Sequence, residues 1–404
     1  MEFVLLSSHN DVIHDISFDF YGTRFATCSS DRLIKIWDLT LRHRISDSRD
    51  EDGNNILQHS SDAVGGGAAL TKDGAASGHQ RENNSNKNEW TKTEFRAHSD
   101  SIWGLSWAHP EFGSVLASCS EDRTICIWEE KEVLTQPVAA AADKSERWIK
   151  RATLTESKKA VTDVKFAPRF HGFLLAATSA DGCVRIYEAP DAFSLNYWQL
   201  HDTLFVERIV TEVSGRGINS NSGGELGVNN NSLSSSGSSS ITSSNSGFVR
   251  ESEYGLTCIA WSDSPVEAAR VAVGGYSKVV SIWVQDSKSN KWREELVLDK
   301  QTGVVHEVAW APAMGRSYHQ IAIASRESTV RIFNISRKED GSALEYTPSA
   351  TNPIVLQCES PVWRVAWNST GTVLTVSGED GTLRSFKKDF NGSFKLVHAK
   401  KLDC

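Results

Sequence analysis

Twelve histidines, 51 acidic side chains and seven cysteines lie along the 404 residues, and their types invite acid–base, metal or thiol chemistry. Acid–base catalysis needs two titratable groups held within hydrogen-bond reach of a substrate. His14, Asp163, His306 and Glu307 recur at similar points of short apolar stretches, where a peptide or a modified side chain could be read. Their expected place is the solvated rim of the fold. Asp181-Gly182 and Asp380-Gly381 have turn chemistry, not the arrangement of a working carboxylate pair. The cysteines (Cys28, Cys119, Cys126, Cys183, Cys258, Cys358 and Cys404) show no CxxC spacing, and most sit in apolar runs. They read as small core hydrophobes in a reducing compartment. Nucleophile-elbow, HExxH, Walker and dinucleotide-binding patterns are missing from any strand–helix context, and the triple glycine at 65–67 opens no helix that could cradle phosphate. The expectation is a protein without catalytic residues, cofactor, metal or small-molecule substrate.

Composition narrows the partners. A net charge of −8 offers no basic field for nucleic acid. No apolar run is long enough to span a bilayer, so no transmembrane segment is expected. The opening MEFVLLSSHND carries an acidic second residue and no extended apolar core, unlike a secretory signal. Thirteen Trp and 16 Phe against 2 Met suit a strand-rich interior.

The elements that must hold these residues repeat. One aromatic closes a first strand at Phe18, Trp107, Phe166, Trp261, Trp310 and Trp367, with an apolar residue two positions earlier each time. A second aromatic follows 19 to 23 residues later, at Trp37, Trp128, Tyr187, Trp283, Phe333 and Phe386. Period-two alternation between turns predicts antiparallel strands, and a sheet this small cannot bury its own faces. Radial stacking of such units buries those faces and gives an all-β propeller of six blades, at about 9–96, 97–155, 156–206, 252–299, 300–357 and 358–400.

The units resemble WD40 repeats. The resemblance places a hydrogen-bonded tetrad at His9, Thr27, Asp31 and Trp37, and a second at His98, Ser118, Asp122 and Trp128. In such a tetrad an Asp holds a His, the His reaches a hydroxyl, and the hydroxyl reaches an indole N–H. The third unit has Ser157 in place of the His, units four and five lack the Asp, and unit six keeps Asp380 without the His. These residues are thereby structural. Two polar segments, 42–88 and 211–247, are too poor in apolar residues to repay ordering and are expected to be disordered inserts at loop positions.

Strand counting leaves one strand over. The fourth strand of a unit directly precedes the next unit's His, so Glu2–Leu6 is expected to belong to a blade before the first. Ser393–His398 already completes the last blade. Either the ring closes with a frayed terminal strand, or it is open and a partner supplies three strands of a seventh blade. The expected seam comprises Phe3, Val4, Leu5, Leu6, Val12, Ile16 and Phe18 on one side. Val362, Val365, Trp367 and Phe386 are expected on the other.

The segments VIHDISFDFYGTRFATCSSDRLIKIWD, SIWGLSWAHPEFGSVLASCSEDRTICIWEE, VHEVAWAPAMGRSYHQIAIAS and PVWRVAWNSTGTVLTVSGEDGTLRSF are similar to the Seh-type nucleoporins. Trp107–Gly113 and Ala311–His319 are more specific than a generic repeat. The resemblance implies a scaffold subunit of the nuclear pore outer ring at the nuclear envelope, supporting mRNA and protein transport. It also implies an open six-bladed ring that accepts an inserted blade from a helical scaffold nucleoporin, beside other outer-ring nucleoporins. A further role at the lysosome or vacuole, in a nutrient-signalling complex, follows from the same family. The alternatives are a propeller of the related secretory-vesicle coat and a closed peptide-reading adaptor.

Overall fold

The computed structural model describes residues 9–40, 89–131, 147–191, 194–206, 255–338, 343–346 and 352–401. The two polar inserts, the Glu2–Leu6 strand and Cys404 lie outside the described residues. Six antiparallel sheets form a β-propeller, and the described residues contain no α-helix. Blade one is β1 (Ile13–Phe18), β2 (Arg24–Ser29), β3 (Leu33–Thr40) and β4 (Glu89–Arg96). Blade two is β5 (Ile102–Trp107), β6 (Val115–Ser120), β7 (Ile125–Glu130) and β8 (Trp148–Leu154). Blade three is β9 (Val161–Phe166), β10 (Leu174–Ser179), β11 (Cys183–Glu188) and β12 (Gln199–Phe205). Blade four is β13 (Leu256–Trp261), β14 (Arg270–Gly275), β15 (Ser281–Gln285) and β16 (Trp292–Val297). Blade five has β17 (Val305–Trp310), β18 (Tyr318–Ser325) and β19 (Thr329–Arg337). Its outer position is shared by two short strands, β20 (Leu344–Glu345) and β21 (Ile354–Gln357). Blade six is β22 (Val362–Trp367), β23 (Val373–Gly378), β24 (Thr382–Lys388) and β25 (Phe394–Lys401).

Both tetrads form. His9 Nδ1 lies 2.8 Å from Asp31 and its Nε2 2.8 Å from Thr27 Oγ1, which the Trp37 indole approaches at 3.4 Å. In blade two the matching distances are 3.0 Å to Asp122 and 2.7 Å to Ser118, with Trp128 donating to Ser118 at 2.9 Å. The Ser118 hydroxyl thus links the Trp128 indole to His98 Nε2, and His98 Nδ1–H serves Asp122. Blades three and six reach the same end with arginine. Arg185 grips Asp181 at 2.6 Å and Ser157 at 3.3 Å, and Arg384 grips Asp380 at 2.6 Å. The residue after the Asp takes a positive φ in all four turns, as Arg32 (70°), Arg123 (69°), Gly182 (80°) and Gly381 (69°). The carboxylate repays this strain where an arginine stands, by accepting the main-chain N–H of Leu33 or Thr124 two residues on.

Five apolar clusters fill the spaces between successive blades from one to six. Blades one and two are also tied by charge. Arg24 donates to Asp38 at 2.7 Å and to both Glu130 oxygens at 2.6 and 3.1 Å, and Arg147 joins the same two carboxylates. Burial would raise the Glu130 carboxyl, but the hydrogen bonds from Arg24 and Ser114 and the two guanidinium charges outweigh it and hold the group at about 2. A carboxyl with a depressed folded value stabilises fully above its ordinary 4.5 and loses that contribution as pH falls toward about 2. Glu130→Gln is therefore expected to lower the melting temperature at neutral pH, with the gap to the native chain closing as pH falls from 4.5 toward 2. Melting curves at stepped pH check this, and a constant gap would sink it.

Candidate partner-binding seam

An inner strand has no strand neighbour on its channel side, so its free N–H groups need acceptors from elsewhere. The preceding blade supplies them. Asp15 accepts from Leu105 N at 3.0 Å, Asp163 from Ile259 N at 3.1 Å and Glu307 from Val365 N at 3.0 Å. These three acids occupy one register position, three residues before the closing aromatic. The closing tryptophan completes the link in blades two, four and six, whereas Trp310 of blade five bonds His319 of its own blade at 3.4 Å. Trp107 donates to Ser17 O, Trp261 to Lys165 O and Trp367 to Ala309 O, at 3.0 to 3.1 Å. Asp163 and Glu307 are thus main-chain acceptors between blades and not solvated rim groups. The histidines are placed likewise. His14 packs on Trp103 with ring centroids 4.3 Å apart, and His306 stacks on Trp363 at 4.3 Å while bonding Val362 O.

Blade one breaks the pattern. Leu105, Val164, Ile259, Val308 and Val365 are at most 3% exposed, whereas Ile16 at the same position is 45% exposed. Val12 and Phe18 are 61% and 59% exposed. Phe18 also brings no N–H where three later blades use a tryptophan to bond the blade before. Of the sequence-expected seam, Val12, Ile16 and Phe18 form an uncovered apolar wall, and Phe3–Leu6 lie outside the described residues.

The other side of the expected seam is corrected. Val362, Val365 and Phe386 are buried in the cluster shared with blade five, and Trp367 packs against that cluster. They stand at the register positions that face backward in every blade, so they cannot also face forward. The forward flank of blade six belongs to β23 and β24, at Thr375, Ser377, Leu383 and Ser385, all partly exposed. Sequence reasoning missed these four because it followed aromatic positions. The matching cross-strand pairs Ala26/Ile36 and Cys28/Ile34 in blade one would have located them. Polar contact crosses the seam near the channel, where Arg364 donates to His14 O at 3.0 Å and lies 3.8 Å from Asp15. Arg364 stands where blades one, three and five carry their acid. Among the described residues no cluster of His, Cys, Asp and Glu could hold a metal ion, and no helix is long and apolar enough to cross a membrane.

The repeat signature and the ring agree with the comparisons. The family described as WD domain, G-beta repeat matches residues 3–38, 89–129, 148–188 and 352–387, which are the blades that keep the turn Asp. Over nearly its whole length the chain is also similar to single proteins. It is 34% identical to nucleoporin SEH1-A of Xenopus laevis over 99% of the chain and 88% of the relative. The figures for nucleoporin SEH1 of Bos taurus are 35% identity, 97% and 86%. The human nucleoporin SEH1 shows 34%, 97% and 86%. The chain belongs to the SEH1 nucleoporin family. SEH1 nucleoporins are structural propellers and not enzymes. That accords with the places of His9, Asp31, His98 and Asp122 in the tetrads and of His14, Asp15, Asp163, His306 and Glu307 in the links between blades.

Proposed function

We propose that the chain is a scaffold subunit of the nuclear pore outer ring whose open edge accepts a three-stranded blade from a helical scaffold nucleoporin. The observation that carries this reading is Ile16, 45% exposed at a position buried in the five other blades. An inner strand with bare apolar side chains and free main-chain groups is an aggregation hazard unless a partner strand covers it. A closed peptide-reading ring would bury Ile16, and a coat propeller is the wrong family. Through this attachment the chain would take its place among other outer-ring nucleoporins and support mRNA and protein transport. A nutrient-signalling complex at the lysosome or vacuole whose subunit carries a like blade would use the same edge.

Ile16→Ser tests the reading, because it spoils the apolar wall at a half-exposed site that the fold itself does not need. The native chain is expected to copurify with a helical nucleoporin, and hydrogen exchange at 13–18 is expected to slow when the two are mixed. The variant should fold normally and lose at least about tenfold in affinity, the worth of roughly 1.4 kcal/mol. Unchanged binding by the variant would refute the seat.

A further inference from the structure

Each internal seam is built from the same four positions of the leading blade, two on the second strand and two opposite them on the third. In blade one these are Ala26 opposite Ile36 and Cys28 opposite Ile34, and in blade two Ala117 opposite Ile127 and Cys119 opposite Ile125, all buried. Blades three to five follow the same rule with Ala, Thr or Gly on the second strand and Val or Ile on the third, again buried. Blade six departs from it. Thr375 stands opposite Ser385 and Ser377 opposite Leu383, so three of the four positions carry hydroxyls. The Thr375 and Ser385 oxygens are 3.4 Å apart. Beside them stands Arg364, at the register position held by Gly104 and Cys258 in blades two and four, where it bonds Glu307 at 3.4 Å and His14 O at 3.0 Å.

The walls of the seam are therefore chemically unlike: apolar on blade one, hydroxyl-bearing on blade six. We infer that the seam selects a foreign blade with two different flanks, and that the polar wall keeps the chain from closing on itself or on a second copy. This rests on the seam being a guest seat. Ring closure and head-to-tail association both press the blade-one flank, with Ile16 and Phe18, against the blade-six flank. That contact would bury the Thr375, Ser377 and Ser385 hydroxyls against hydrocarbon, where Thr375 and Ser385 have only their long contact with each other and Ser377 gains no partner. A guest escapes the penalty when the flank it turns to blade six bears hydroxyl, amide or carboxylate side chains. Those groups satisfy the three hydroxyls. Its other flank carries the small and β-branched apolar residues that every internal seam presents to the blade after it. The occupant is thus a β-blade of another protein, polar toward blade six and apolar toward blade one.

The test gives blade six the flank of its siblings, with Thr375→Ala, Ser377→Ala and Ser385→Ile in the full chain, and needs no partner. By sedimentation velocity the native protein is expected to stay monomeric at micromolar concentration, with fast hydrogen exchange at 13–18. The triple variant is expected to associate head to tail at least about tenfold more tightly, or to close and slow that exchange by a similar factor. Ser385→Ile alone, at a partly exposed site, should move either readout in the same direction by a smaller factor. Two findings would overturn the inference: variants that match the native chain in both readouts, or a native chain already associated through blades six and one. Should the variants match while Ile16→Ser still loses its nucleoporin, the two-flank selection fails and the guest seat stands.

Discussion

Leu105→Ala is expected to cost about 3 kcal/mol of stability, and Ile16→Ala, at the same register position one blade earlier, less than about 1. Leu105 is fully buried in the cluster between blades one and two, so truncation removes hydrophobic transfer energy and leaves a cavity that neighbours fill incompletely. Ile16 is 45% exposed, has no blade before it and opens no cavity when shortened. Urea unfolding of the two variants checks this difference. Equal losses would mean that Ile16 is buried in solution and that blades six and one meet through their apolar flanks. The same comparison made with the helical partner bound should raise the Ile16→Ala cost toward that of Leu105→Ala, because the guest blade then supplies the missing neighbours.

Asp122→Ala is expected to destabilise the chain by roughly 3 kcal/mol, the scale for removing one partner from a buried charged network. The Asp122 carboxylate accepts from His98 at 3.0 Å, from the main-chain N–H groups of Ser99 and Thr124 at 3.0 Å each, and from the Thr124 hydroxyl at 2.6 Å. Alanine strands the buried His98 N–H and removes the compensation for the left-handed Arg123. Burial would raise the Asp122 carboxyl, yet hydrogen bonds from His98 and Thr124 outweigh it and hold it well below the usual carboxylate range. On the acid side its contribution persists above the ordinary 3.8 and is lost as pH falls through the depressed value. On the alkaline side the pair weakens as His98, raised against burial to about 9 by the Asp122 hydrogen bond and charge, gives up its proton. The variant's deficit should therefore shrink at both extremes. Thermal unfolding with an Asp181→Ala control gives a second check. Asp181 holds an arginine that also bonds Ser157, so its loss should cost less. A larger loss for Asp181→Ala would invert the expected importance of the two turns.

Six units, their strand order and both tetrads were legible in the chain because each is a local matter. Alternation of side chains, a turn Asp and a closing aromatic act within some 40 residues, and antiparallel neighbours in sequence are neighbours in space. Arg185 and Arg384 were overlooked as stand-ins for the missing histidines, since a single cation two residues before an aromatic has no pattern of its own. Which flank of a blade faces forward is a different kind of question. It depends on how one sheet is rotated against the next, and the aromatic positions that mark a blade so clearly all point backward. Hence Val362, Val365, Trp367 and Phe386 looked like a free edge while they were the covered one. The exposed wall at Ile16 and the hydroxyl-bearing wall at Thr375, Ser377 and Ser385 became distinguishable only when blades one and six stood on either side of one gap. Local pattern specifies a blade; the neighbours a blade lacks can be seen only once all six have been stacked.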